Sequence, residues 1–280
     1  MFVTKPVRIA VAALALALVA TACGDDADTE ATPTPTDGGT MTESMAYEFT
    51  TLTEGVLTIC SDIPYAPFEV EDPDAPSGYS GFDIELVDAI AQRLDLTIEV
   101  KVTAFDPIQN GQALEADSCD IAASAMTINA EREENIDFTD PYFDADQSML
   151  VKKDNPFASL DELAGQTVGV QADTTGQEYA EANVGADVTV REFPGAAELF
   201  QALEAGDIVA IIQDLPVNVE RAQQDDTVEV TATFPTGEQY GFAVKQDRGD
   251  DLLQALNDTL AALRADGTYD TIYDSYFATS

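Results

Sequence analysis

Apolar and polar positions along this chain change period in a regular order. Residues 57–61 (LTICS) make a short apolar run that stops at Asp62, with Pro64 and Pro67 just beyond, and predict a buried strand ending in a turn. Residues 81–94 carry Phe82, Ile84, Leu86, Ala89, Ile90 and Leu94 at helical spacing and predict an amphipathic helix. Residues 96–102 alternate and predict a strand, 108–115 a short helix and 120–125 a further strand. A second set follows: a strand at 167–171, a helix opened by Thr174 and Thr175, a strand at 188–191, a helix at 196–205 and a strand at 208–213 ending at Asp214. Thr174 with Gln177, and Thr175 with Glu178, fit the spacing of a capping box. The chain then runs through 237–245 (GEQYGFAVK) to helices at 250–265 and 269–277. Strands alternating with helices predict an α/β fold with mainly parallel sheets. Ligands of such sheets sit at the carboxyl ends of strands, where Asp62 and Ser124 fall.

From residue 49 onward the composition is globular, and the length suits two lobes better than one small core. The N-terminus reads differently. Lys5 and Arg8 precede an apolar run at 9–20, shorter than the roughly 20 residues of a membrane span and suited to a signal peptide over 1–22. Ala20-Thr21-Ala22-Cys23 resembles the lipobox of bacterial lipoproteins, although Leu is more usual where Ala20 stands. Cys23 is therefore the expected lipid attachment, against the plainer reading of a secreted precursor. Residues 23–48, rich in Asp, Thr, Pro and Gly, predict a disordered acidic linker with a span of roughly 30 Å. The expected location is extracytoplasmic, on the cell membrane through that anchor.

Charge narrows the function. Fifty-three acidic against 12 basic residues give a formal charge of −41, which argues against nucleic acid and anionic lipid as partners. Most of these carboxylates are read as a solvated surface resembling that of proteins adapted to high salt. With no His, the chain has neither a Ser-His-Asp triad nor a His-ligated metal, and no metal, cofactor or catalytic residue is expected. Cys60 and Cys119 are a poor zinc site and, in an exported protein, a candidate disulfide, although Cys119 starts its strand while Cys60 is late in its own.

Candidate chemistry concentrates at 122–132, AASAMTINAER. A small-residue strand leads to Thr127 and then to Arg132, expected on the first turn of a helix. Strand-end and helix N–H groups, the Ser124 and Thr127 hydroxyls and a bidentate guanidinium together suit the grip of a carboxylate.

Gly81-Phe82-Asp83-Ile84-Glu85-Leu86 with Ile90-Ala91 and Leu94 resembles the signature helix of bacterial extracellular solute-binding proteins of family 3, receptors of polar amino-acid ABC importers. Ser61-Asp62, Tyr65-Ala66-Pro67-Phe68-Glu69, residues 136–142 (IDFTDPY), Gly169-Val170-Gln171, Thr174-Thr175-Gly176, Gln213-Asp214 and the closing DGTYDTIYDSYF are also similar, in order. The resemblance implies a two-lobe periplasmic-binding-protein-like (type II) fold with two crossing strands as hinge, near 143–147 and 238–242. Lobe 1 would comprise 49–145 and 239–280, and lobe 2 would comprise 146–238.

It also implies roles. Arg132 would pair with a ligand α-carboxylate, helped by Thr127 and, from lobe 2, Thr175; the plain alternatives are a surface Arg and helix caps. Asp214 would accept the α-ammonium, or simply cap the helix beginning at Leu215-Pro216. Ser124 would add an acceptor, Tyr65 and Phe105 would sandwich the side chain, Asp62 would meet its polar or cationic tip, and Gln171 would line the specificity end. Where that family usually has Gly this chain has Asp173, a departure that implies a different loop backbone and an altered lobe 2 grip. The implied function is capture of a polar L-amino acid, Arg, Lys or His ahead of Gln, by a monomer that delivers it to permease subunits through hinge closure. Two rivals remain: an enzyme resembling cyclohexadienyl dehydratases, with Glu69 as general acid or base, and a ligand-sensing module.

Overall fold

The computed structural model describes residues 47–278. The signal segment, Cys23 and most of the expected linker lie outside these residues. Tyr47 and Glu48, the last two residues of the expected linker, are docked on the body. The Tyr47 hydroxyl donates to Asp258 at 3.1 Å, and the Glu48 N–H donates to Asp251 at 2.9 Å.

The elements run β1 (Val56–Ser61), β2 (Val70–Glu71), β3 (Tyr79–Ser80), α1 (Phe82–Arg93), β4 (Thr97–Val102), α2 (Phe105–Gln109), α3 (Gln112–Glu115), β5 (Ile121–Ala122), β6 (Ile136–Phe138) and β7 (Phe143–Lys152). They continue through β8 (Thr167–Gln171), α4 (Thr175–Asn183), β9 (Thr189–Phe193), α5 (Ala196–Ala205), β10 (Ala210–Asp214), α6 (Leu215–Gln224), β11 (Val228–Tyr240), β12 (Ala243–Lys245), α7 (Leu252–Ala265) and α8 (Thr268–Phe277). Two five-stranded sheets result, ordered β4-β1-β5-β12-β6 and β11-β7-β10-β8-β9, with β2 and β3 as a small hairpin.

Both sheets are mixed rather than mainly parallel. The βαβ units supply the parallel pairs β1–β4, β1–β5, β8–β10 and β8–β9. The antiparallel pairs all involve strands of the crossing and return, β7, β11 and β12. Strands β7 and β11 pair Phe143 with Tyr240, Asp144 with Gln239 and Ala145 with Glu238, then slip register between Phe234 and Glu238. The chain thus leaves one sheet beside the point where it returns, which places Gln147 and Glu238 between the lobes.

Local departures from the expected elements have local causes. The single helix expected at 108–115 is two, because Gly111 turns left-handed (φ 80°) between α2 and α3. The strand expected at 120–125 is only Ile121–Ala122. Arg132 opens a three-residue 3-10 turn, Arg132–Glu134, rather than a helix, so no helix dipole stands behind it.

Helix α1 buries Phe82, Ile84, Leu86 and Ile90 of the face its period predicts, with Val87 and Ala91 added, while Ala89 and Leu94 are only partly buried. Each large side chain is worth about 1.5–3 kcal/mol of burial. Phe82 joins Phe68, Tyr142, Phe143, Tyr240 and Phe277 in an aromatic cluster around the hinge, with Phe68–Phe143 centroids 5.0 Å apart in an edge-to-face contact. Gly81 opens α1 at φ 118°, and a Cβ there would stand 2.2 Å from the Phe68 carbonyl oxygen. Cys60 and Cys119 are joined by a disulfide, with Cα atoms 5.7 Å apart, under the helices of lobe 1. Among the described residues, no helix is long and apolar enough to cross a membrane.

Candidate functional site

The ends of β1, β8 and β10 and the loop after β5 converge on a cleft between the two sheets. The lobes lie close together across it, leaving a cavity of only about 20 Å³, and its walls are Asp62, Tyr65, Phe105, Ser124, Ala125, Thr127 and Arg132 from one lobe and Gln171, Thr174, Thr175 and Asp214 from the other. Every residue that the sequence suggested for a ligand is on this wall, together with Ala125 and Thr174.

Arg132 is only 4% exposed. Its Nη1 donates to the Thr127 carbonyl at 2.7 Å, its Nη2 to the Asp173 carbonyl at 3.3 Å, and its guanidinium lies 5.2 Å over the Phe105 ring. Burial pulls its pKa below the usual value, while Glu178, Asp214 and Glu238 oppose that shift. The surface-Arg alternative therefore fails, and Phe105 serves as a floor for the guanidinium as well as for the cleft.

Asp214 stands at the N-cap of α6, yet its side chain makes no capping bond. Instead it accepts from Tyr65 Oη at 2.9 Å, from Gln147 Nε2 at 2.6 Å and from Tyr240 Oη. Pro216, early in α6, leaves one fewer helix N–H to satisfy, which frees the carboxylate to face the cleft. Burial is the main force raising its pKa to about 6, with the Glu238 charge adding to it and the three donors opposing. Asp62 likewise sits near 6, raised chiefly by burial, and accepts from Gln171 Nε2 across the cleft at 2.6 Å.

The capping duties of lobe 2 fall on Thr174, whose hydroxyl accepts from the Gln177 N–H at 3.2 Å. That leaves Thr175 free to point inward. Asp173 adopts φ 63°, the left-handed conformation that glycine favours and Asp tolerates. Asp173 thus makes a left-handed turn and offers its carbonyl to Arg132.

Three residues at the heart of the arrangement carry no local motif. Glu238 accepts from Thr127 Oγ1 at 2.9 Å and from Thr175 Oγ1 at 2.7 Å, and Gln147 Nε2 lies 3.3 Å from both its oxygens. Tyr240 and Gln147 hold Asp214. Their only sequence signal was proximity to the crossing strands.

Behind Ser124 lies a pair of buried acids. Ser124 Oγ accepts the Asp62 N–H at 3.0 Å and donates to Glu69 at 3.0 Å. Asp83 accepts from the Ala125 N–H at 2.8 Å and from Tyr142 Oη at 2.7 Å. Glu69 and Asp83 are fully buried, and each has one oxygen without a partner among the described residues. Burial and the Asp83 charge push Glu69 well above the usual carboxylate range, and burial lifts Asp83 to about 7. Ser124, with its proton committed to Glu69, faces the cleft as an acceptor.

The cleft wall sets one guanidinium against the carboxylates of Asp62 and Asp214, with aromatic faces between.

Comparison with known proteins agrees with this geometry. Residues 57–279 match the family of bacterial extracellular solute-binding proteins, family 3. The chain is 32% identical to a probable histidine-binding protein of Neisseria gonorrhoeae over 229 residues, 80% of this chain and 83% of that protein. A solved ancestral arginine-binding protein bound to glutamine superposes with a TM-score of 0.74 at 36% identity, covering 81% of this chain and 100% of that one. The ancestral amino acid-binding protein AncCDT-1, a precursor of cyclohexadienyl dehydratase, gives a TM-score of 0.73 at 36% identity over 80% and 96% of the two chains.

Proposed function

This chain belongs to the bacterial extracellular solute-binding proteins, family 3, and from that premise we propose that it is the receptor of an ABC importer for a cationic L-amino acid, with arginine, lysine or histidine favoured over glutamine. The observation that carries this reading is the charge count of the cleft. Arg132 meets the ligand α-carboxylate, supported by Thr127 and Thr175. Asp214 accepts the α-ammonium with Ser124 as a second acceptor. Tyr65 and Phe105 flank the side chain, and Asp62 and Gln171 receive its tip.

A cationic amino acid brings two positive groups and one negative. With Arg132 that makes three cations against the three carboxylates of the ligand, Asp62 and Asp214. Glutamine leaves one more carboxylate unmatched, and glutamate adds a further one. Unmatched charge in a desolvated cleft is costly, so affinity should follow that order.

Binding draws the lobes together about β7 and β11, hides the ligand and offers a joined surface to the permease. Cys23 supplies the lipid anchor that keeps the receptor at the membrane; incorporation of labelled fatty acid, lost in Cys23→Ser, is the check. The enzyme alternative is disfavoured by Glu69, which is fully buried behind Ser124 and does not line the cleft.

Calorimetric titration with L-arginine, L-lysine, L-histidine, L-glutamine and L-glutamate tests the proposal, alongside a turnover assay with prephenate and arogenate. The expected result is tightest binding of a cationic amino acid, glutamine weaker, glutamate weakest, and no turnover. Glutamate binding as tightly as arginine would overturn the charge argument, and turnover would overturn the receptor.

A further inference from the structure

Glu238 occupies a position that neither hinge mechanics nor ligand capture requires to be a carboxylate. It is half-buried near the C-terminal end of β11, where it lines a wide open groove between the lobes beside the ligand cleft. One oxygen, Oε2, takes the protons of both Thr127 Oγ1 and Thr175 Oγ1, at 2.9 and 2.7 Å. Those hydroxyls stand 3.4 Å apart, one on each lobe. Gln147 Nε2 lies between Glu238 and Asp214, 3.3 Å from the first and 2.6 Å from the second.

A hydroxyl has one proton to donate. While Thr127 and Thr175 give theirs to Glu238, neither can give it to a ligand. The Thr127 and Thr175 N–H groups make no hydrogen bond within the described residues, so Arg132 and these amides are what remain for an incoming carboxylate. If the ligand takes the hydroxyls instead, Glu238 loses its donors and lies beside a second negative charge.

We infer that Glu238 is a specificity-setting residue, an internal carboxylate that competes with the ligand α-carboxylate for the Thr127 and Thr175 hydroxyls. The inference rests on the receptor reading above. Its consequence is that the α-carboxylate is held mainly by Arg132 and the Thr127 and Thr175 N–H groups, with the two hydroxyls contributing less than their position suggests. A like charge a few ångströms away in a partly desolvated site is worth about tenfold or more in affinity.

The test is a cycle between protein and ligand. Wild type and Glu238→Gln are titrated with L-arginine and L-argininamide, and with L-glutamine and L-glutaminamide, each pair differing in the α-carboxylate. The glutamine variant keeps shape and hydrogen bonding while removing the charge, and its thermal melt verifies folding. The expected result is that Glu238→Gln binds the free amino acid about tenfold more tightly while affinity for its amide moves by less than about threefold. Equal changes for acid and amide, or a greater loss for the acid, would show that Glu238 only braces the hinge and would overturn the inference. If wild type binds none of the four probes and none of L-lysine, L-histidine and their amides, the receptor reading itself fails, and this inference falls with it.

Discussion

Replacing Asp214 by Asn should stabilise the empty protein and abolish its ligand. The carboxylate is 7% exposed and its pKa stands near 6 against an ordinary 3.8, mainly through burial. A shift of about two units means that keeping it ionised in the folded state costs about 3 kcal/mol at a pH well above 6. The sign follows from linkage. Between about pH 4 and 6 the folded protein holds a proton on Asp214 that the unfolded chain has lost, so stability rises as pH falls through this window. From pH 7.5 to 5.0 this single group should contribute about 1–2 kcal/mol. Asn cannot ionise, and the Tyr65 and Tyr240 hydroxyls can rotate to accept from its amide. Urea denaturation of wild type and Asp214→Asn at both pH values isolates the effect, with salt high enough to screen the surface charge. At pH 7.5 the variant should be the more stable. The acid-induced gain of wild type should exceed that of the variant by about 1–2 kcal/mol. The same substitution removes the acceptor for the ligand ammonium and should weaken binding by about a hundredfold or more. A variant less stable at pH 7.5 with an unchanged pH dependence would refute the reasoning. Asp214 would then be a hydrogen-bond hub for the two tyrosines rather than a charge held ready for a ligand.

Other predictions follow from the same site. Arg132→Ala should lower affinity by about 10²–10³-fold, and Arg132→Lys should recover little because one ammonium cannot reproduce the bidentate fork; titration calorimetry decides. Asp62→Asn should weaken arginine binding at least about tenfold while leaving glutamine within about threefold, and equal losses would contradict the placing of Asp62 at the side-chain tip. Gly81→Ala should cost about 3 kcal/mol or more in a urea melt, because a Cβ would stand 2.2 Å from the Phe68 carbonyl oxygen at a φ of 118°.

The parts of this molecule legible in the sequence are those governed by short-range pattern. Helix α1 and strand β1 announce themselves because a buried face repeats with their own period. Most of the cleft residues from Asp62 to Asp214 were legible because they lie at a strand end or within a motif, whereas Phe105, which opens α2, lies in neither. What the sequence hid depends on contacts between distant segments. Strand β11 runs from Val228, well before the stretch that signals the return, because its partner β7 lies far away in the chain. Gln147, Tyr240 and Glu238 owe their positions to that pairing and carry no local signature. The turn at Arg132 is too short for periodicity to distinguish it from a helix. Asp214 and Thr175 had equally good local explanations as caps, and only the side-chain directions separate the two roles. The left-handed turn at Asp173 is likewise a backbone property that the residue type permits but does not announce.

The most direct test of the central claim is a thermal-shift screen of the mature chain carrying Cys23→Ser against the twenty L-amino acids, with Arg132→Ala in parallel. A ligand that binds only the folded state adds about 2.7 kcal/mol at a hundredfold excess over Kd, which is roughly 5–10 °C for a chain of this size. The account predicts its largest shift with arginine, lysine or histidine, a smaller one with glutamine, none with glutamate, and no shift in Arg132→Ala. If no amino acid moves the wild-type melt, or if the variant responds as wild type does, the cleft is not an amino-acid site and the account is wrong.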